Sequence, residues 1–239
     1  MNKPVKYGIT GFILVCLTLL ITAGVMLYSA FQKAASDDPL VWESDIKNFE
    51  NLDRENMPHQ EGILFVGSSS FRFWKNLKDD MKDLPVINRG FGGSKLPDLI
   101  HYAHRIILPY KPKIVVIYCG DNDMSVGRLQ SSEEVLGNTK RLIAVIKEKL
   151  PAAIICYVSI KPSPSRMKFW PAMKRANRQI KNYLASQKNM VFIDVSSRMF
   201  RKDGSLKDEL FTWDRIHMRR EGYVLWTEII RPVVAKQFK

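Results

Sequence analysis

The chain predicts an α/β fold: a flavodoxin-like, three-layer, doubly wound parallel sheet of about five strands, preceded by one N-terminal transmembrane helix. Three observations carry that reading. Short, continuously apolar runs, typical of parallel strands buried on both faces, recur between residues 63 and 194. Most of these runs are followed by a stretch with helical character, and strictly alternating strands and helices build parallel βαβ units. Finally, residues 8–30 carry no charged side chain, a run of 23 residues that is long enough to cross a bilayer.

Taken in order, Lys3 and Lys6 precede the apolar run, and no acidic residue occurs before Asp37. The positive-inside rule then puts the N-terminus in the cytoplasm and the remainder outside, periplasmic or at the cell surface. Ser29, Ala30, Ala34 and Ala35 are badly spaced for a signal-peptidase site, and Leu14-Val15 before Cys16 makes a poor lipoprotein site. An uncleaved anchor over residues 1–31 is the expectation. Residues 32–60 are polar and read as a juxtamembrane linker with a short helix around Trp42–Leu52. The globular domain occupies residues 61–239. Its strands are expected at Ile63–Val66, Val86–Asn88, Ile114–Tyr118, Ala153–Ser159 and Val191–Asp194. Its helices are expected at Phe71–Met81, Leu96–Leu108, Ser131–Leu150, Met167–Ala185 and Gly222–Phe238.

Composition bounds the rest. Setting the anchor aside leaves about 205 of 239 residues, enough for one sizeable domain, and 46% apolar content supports a packed core. The three cysteines, Cys16, Cys119 and Cys156, form no disulfide framework; the last two fall in or at the ends of strands as small apolar residues. His101 and His104 sit three apart on one helix without a nearby acid cluster, so no metal site is expected. The formal net charge is +13, of which Lys3 and Lys6 supply two. The excess beyond the anchor suits an anionic lipid or polysaccharide surface, or simply a solvated basic surface. An extracytoplasmic location argues against nucleic acid as partner.

In an open α/β sheet, ligands bind beyond the carboxyl ends of the strands. Four polar clusters fall there: Gly67–Ser70 after the first strand, Asn88–Ser94 after the second, Gly120–Asp123 after the third, and Asp214–His217 ahead of the last helix. Each has an ordinary reading by itself. A serine beside Phe71–Lys75 can cap a helix, Gly120–Asp123 can be a turn, and Asp214-x-x-His217 can be a surface cap. Jointly they supply a nucleophile, a base, a group to orient the base and donors for an oxyanion.

In that order and on those elements, across roughly residues 63–230, the clusters resemble the blocks of the SGNH (GDSL-type) hydrolase superfamily of esterases and lipases. The resemblance implies that Ser69 is the nucleophile, His217 the general base and Asp214 the acid that orients it. It implies an oxyanion hole made by the backbone N–H groups of Ser69 and Gly93 and the side-chain amide of Asn122. No cofactor is implied. Ser68 stands where the family usually has Asp, a departure that leaves the triad intact. Ser70 is expected to cap the following helix.

The expected activity is hydrolysis of an ester, in a lipid, an O-acylated glycan or a small molecule, through an acyl-enzyme on Ser69. An O-acyltransferase with the same triad, or an inert glycan-binding module on this fold, are the alternatives. Lys161 and Arg166 follow the fourth strand, and Arg219 follows His217, so these three are expected to form a basic rim for anionic substrates.

Overall fold

The structure is a computed structural model and describes residues 3–238, with side chains described from residue 12 onward except Ala23 and Leu27. Five strands form one parallel sheet: β1 (Ile63–Gly67), β2 (Val86–Gly90), β3 (Ile114–Tyr118), β4 (Ile154–Val158) and β5 (Met190–Ile193). Their order is β2-β1-β3-β4-β5. Ile63 lies level with Val86 on one side and Ile114 on the other. The chain therefore steps outward from β1 to β2, then returns to build β3, β4 and β5 on the opposite edge. The loops leaving β1 and β3 diverge at this reversal and open a crevice.

All five residues of β1 and of β3 are buried, as expected of strands covered on both faces. Alternate side chains serve two cores. Leu64, Val66, Val115 and Ile117 pack with α5 (Leu96–Ile106), α6 (Ser132–Lys149) and α7 (Trp170–Ala185). Ile63, Phe65, Ile114 and Val116 pack on the other face with α3 (Ser69–Arg72), α4 (Leu77–Met81) and α8 (Arg220–Phe238). These are the three layers that the alternating pattern predicts.

The N-terminal helix α1 runs from Lys3 to Ala35. Its Phe12–Ala35 portion contains an 18-residue stretch with a mean hydropathy of 2.3 and no buried residue, and is long and apolar enough to cross a membrane. The following stretch is more than a tether. A 3-10 turn over Pro39–Trp42 leads into α2 (Glu43–Glu55), which packs on α5. Trp42 and Ile46 are buried there, and Arg105 donates to both Glu43 and Glu50.

Three local expectations change. The Phe71–Met81 helix is broken into α3 and α4, because Trp74 turns inward between them: it is 1% exposed, lies against Tyr223 and Trp226, and donates Nε1–H to Asp80 at 2.6 Å. Ser70 is not the cap. The capping position of α3 falls on Ser68, without a side-chain bond, while Ser70 lies inside the helix and is buried. Similarly, the stretch expected to begin a helix at Met167 is 3-10 over Pro164–Phe169 before α7 starts.

Candidate active site

The Gly67–Ser69 turn forms because β1 ends against the backbone of β3. A Cβ on Gly67, whose φ is +149°, would sit 1.9 Å from the Tyr118 carbonyl oxygen. Glycine alone permits that approach. The Ser68 N–H donates to the same carbonyl at 3.0 Å, so the chain pivots there and Ser69 opens α3. From the other layer, the Tyr223 hydroxyl donates to the Ser70 carbonyl at 3.0 Å and fixes the short helix from α8.

The Asp214–His217 turn closes on itself. One carboxylate oxygen of Asp214 accepts from the N–H of Ile216 and of His217, both at 2.9 Å, and from the Thr212 hydroxyl at 2.7 Å. The other accepts from His217 Nδ1 at 2.6 Å. A carboxylate can only accept, so Nδ1 carries the proton and Nε2 is left as an acceptor. Nε2 lies 2.9 Å from Ser69 Oγ. The structure thus brings residues 148 positions apart in the chain into one hydrogen-bonded line: Ser69, His217, Asp214. Phe73 meets the imidazole edge-on at 4.8 Å between centroids and limits its tilt.

Electrostatics follow from the contacts. Burial would raise the Asp214 carboxyl, but the hydrogen bonds from His217, Ile216 and Thr212 outweigh it and hold this group far below the usual carboxylate range. Burial dominates at His217 and lowers its pKa from the ordinary 6.5, against the opposing pull of Asp214 and with help from the nearby Lys161 charge. The imidazole is therefore kept neutral and able to accept a proton.

On the facing loops, a Cβ at Gly93 would come within 3.7 Å of Asn122 Nδ2, so this backbone and this amide flank one space. Asn122 Nδ2 donates to the Ser94 carbonyl at 3.1 Å, which uses one of its two hydrogens. Among the described residues, no acceptor takes the backbone N–H of Ser69 or of Gly93.

Lys161 and Arg166, expected on an exposed rim, are instead 1% and 9% exposed. Arg166 donates to Asp121 at 2.8 Å and to Asn122 Oδ1 at 2.9 Å. Because guanidinium only donates, it fixes which end of the Asn122 amide faces away, and that end is the NH₂. Lys161 donates to the Ile216 carbonyl at 2.8 Å and so supports the Asp214–His217 turn; burial pulls its pKa down to about 8. Arg219 is exposed, as expected. Thr212, Phe73 and Tyr223 also shape the site, and no local pattern announced them. Asp123 is fully buried and raised to about 7, chiefly by desolvation; it accepts from the Leu96 N–H at 2.9 Å and caps α5.

Residues 63–225 match the model of the GDSL-like lipase/acylhydrolase family. No curated protein matches the chain. Among solved structures, a GDSL-like lipase from Bacteroides thetaiotaomicron is similar at 20% identity and a TM-score of 0.69, over 80% of this chain and 97% of that one. A lipase/acylhydrolase from Enterococcus faecalis is 22% identical with a TM-score of 0.62, over 74% and 96%. A carbohydrate esterase family 3 protein from Talaromyces cellulolyticus is 14% identical with a TM-score of 0.61, over 74% and 97%.

Proposed function

This chain belongs to the GDSL-like lipase/acylhydrolase family of ester hydrolases, and we propose that it is a membrane-anchored serine esterase that works through an acyl-enzyme on Ser69. One observation carries the reading: Ser69 Oγ lies 2.9 Å from His217 Nε2, whose other nitrogen lies 2.6 Å from Asp214. In the first half-reaction, Ser69 Oγ bonds to the ester carbonyl carbon as its proton passes to Nε2. The carbonyl oxygen becomes an oxyanion facing the N–H groups of Ser69 and Gly93 and the Asn122 amide. The intermediate collapses, the ester C–O bond breaks, and His217 returns the proton to the leaving alcohol. Water then repeats the sequence, with His217 taking its proton, and releases the acid. Asp214 stays ionised throughout and steadies the imidazolium.

The anchor reading rests on α1 and on Lys3 and Lys6 ahead of its apolar run, which argue for a cytoplasmic N-terminus and an extracytoplasmic domain. Turnover of p-nitrophenyl acetate by Ser69→Ala tests the chemistry. We expect a loss of about 10⁵-fold or more in kcat with an unchanged circular dichroism spectrum. Retained turnover would remove Ser69 from the mechanism.

A further inference from the structure

We infer that the active-site crevice lies at head-group depth in the same membrane that α1 enters, so that the enzyme's substrate is an acyl ester of that membrane's lipids. This deepens the serine-esterase reading and rests on it.

The first observation is where α1 ends. A Cβ on Gly93 would lie 2.7 Å from Ala34 Cβ, and one on Gly127 would lie 2.3 Å from the Ala35 carbonyl oxygen. The helix thus terminates against the loop that carries the Gly93 N–H and against the loop that follows Asn122. Its end is fixed there. Lys95, 3% exposed, donates to the carbonyls of Ala35 at 3.5 Å and Ser36 at 3.0 Å and pairs with Asp37 at 2.8 Å. A cation on the last carbonyls of a helix both caps it and favours its dipole.

Depth follows from geometry. The uncharged run ends at Gln32, just before Lys33, and Ala34 is two residues further, about 3 Å at 1.5 Å per residue. Each head-group layer outside the hydrocarbon core is about 5–8 Å thick. The loop beside the crevice therefore falls within that layer, level with the glycerol esters of the lipids, rather than tens of ångströms above it.

The surface at this end of the sheet suits such a position. Leu129, two residues from the Gly127 contact with α1, is 52% exposed; Trp213, beside Asp214, is 81% exposed; and Phe73 and Met167 are 40% and 37% exposed. These side chains come from loops beyond β1, β3 and β4 and from the His217 turn. Beside the α1 exit, a cleft of about 590 Å³ is lined by Lys33, Arg72 and Lys75 against the single acid Asp45. Exposed apolar side chains combined with a cationic cleft match an anionic bilayer surface.

Depth is read directly, without recourse to activity. Cys119 and Cys156 are buried and Cys16 lies within the apolar helix, so an introduced cysteine can be labelled selectively with a water-soluble maleimide. Full-length Leu129→Cys and Lys188→Cys, the second at the opposite end of the sheet ahead of β5, are labelled with a nitrobenzoxadiazole maleimide. They are reconstituted in phosphatidylcholine–phosphatidylglycerol vesicles that contain a head-group nitroxide lipid. We expect strong quenching at position 129 and little at 188; equal quenching overturns the inference. In the same vesicles, Leu129→Glu should slow hydrolysis of an acyl lipid about tenfold, the size of effect of about 1.4 kcal/mol in membrane contact, with p-nitrophenyl acetate turnover unchanged. Undiminished lipid turnover also overturns it. Failure of the unmodified chain to turn over p-nitrophenyl acetate would instead remove the esterase reading, while the quenching result would stand by itself.

Discussion

His217 is held from both sides: its Nδ1 proton by Asp214 at 2.6 Å, its Nε2 lone pair aimed at Ser69. Burial lowers its pKa below 6.5, so the neutral, proton-accepting form persists to lower pH than in a free histidine. The acid limb of kcat/KM for p-nitrophenyl acetate should therefore have its midpoint below pH 6.5, since Asp214 is already ionised far below that range. A midpoint above 6.5 would contradict the environment described for this imidazole. Asn122 makes a second test. Removing one oxyanion donor costs about 10²–10³-fold in kcat, and Asn122→Ala should show a loss of that size with little change in KM. Arg166→Lys should fall between Asn122→Ala and wild type, because lysine restores a charge beside Asp121 but not the two-pronged bond that orients the amide. The meeting of Ser69, Asp214, His217 and Asn122 was legible because each sits in a short polar block, Ser69 and Asn122 just after β1 and β3 and Asp214 and His217 just ahead of α8. The burial of Lys161 and Arg166 was not, because the groups that accept their hydrogen bonds lie elsewhere in the chain: Asp121 and Asn122 some 45 residues upstream of Arg166, the Ile216 carbonyl 55 downstream of Lys161.

At the level of elements, the strands were legible for a physical reason. A strand covered on both faces must be apolar throughout, and β1 and β3 are. The break between α3 and α4 left no such mark. No glycine or proline lies between Phe71 and Met81, and the turn exists because α8 offers Tyr223 and Trp226 for Trp74 to pack on. The same join carries an ion pair. Arg220, at the start of α8, grips both oxygens of Asp80 in α4 at 2.5 Å. Asp80 is nearly buried and Arg220 about half exposed, so the loss should fall below that of a fully buried pair. Arg220→Ala should lower the unfolding free energy by about 1–2 kcal/mol, measured as a shifted urea midpoint with an unchanged slope. No shift would mean that α8 is held to α4 by packing alone.

On the scale of the whole molecule, function follows from where the chain reverses. Because β2 and β3 flank β1 on opposite sides, the loops carrying Ser69 and Asn122 part at the centre of the sheet, and the loop after β2 brings Gly93 beside them. The Asp214–His217 turn, delivered just ahead of α8, closes the remaining side. The stretch read from sequence as a linker instead docks α1 and α2 on this assembly, since Trp42 and Lys95, which hold it, find their partners only in the folded chain. In the mechanism we propose, this convergence makes one serine of the Ser68-Ser69-Ser70 triplet nucleophilic. Reaction of the full-length protein with a fluorophosphonate, followed by mass spectrometry of the peptide, tests it most directly. We expect a single adduct on Ser69 that disappears in His217→Ala; an adduct on Ser68 or Ser70, or labelling that survives the loss of His217, would rule out this triad.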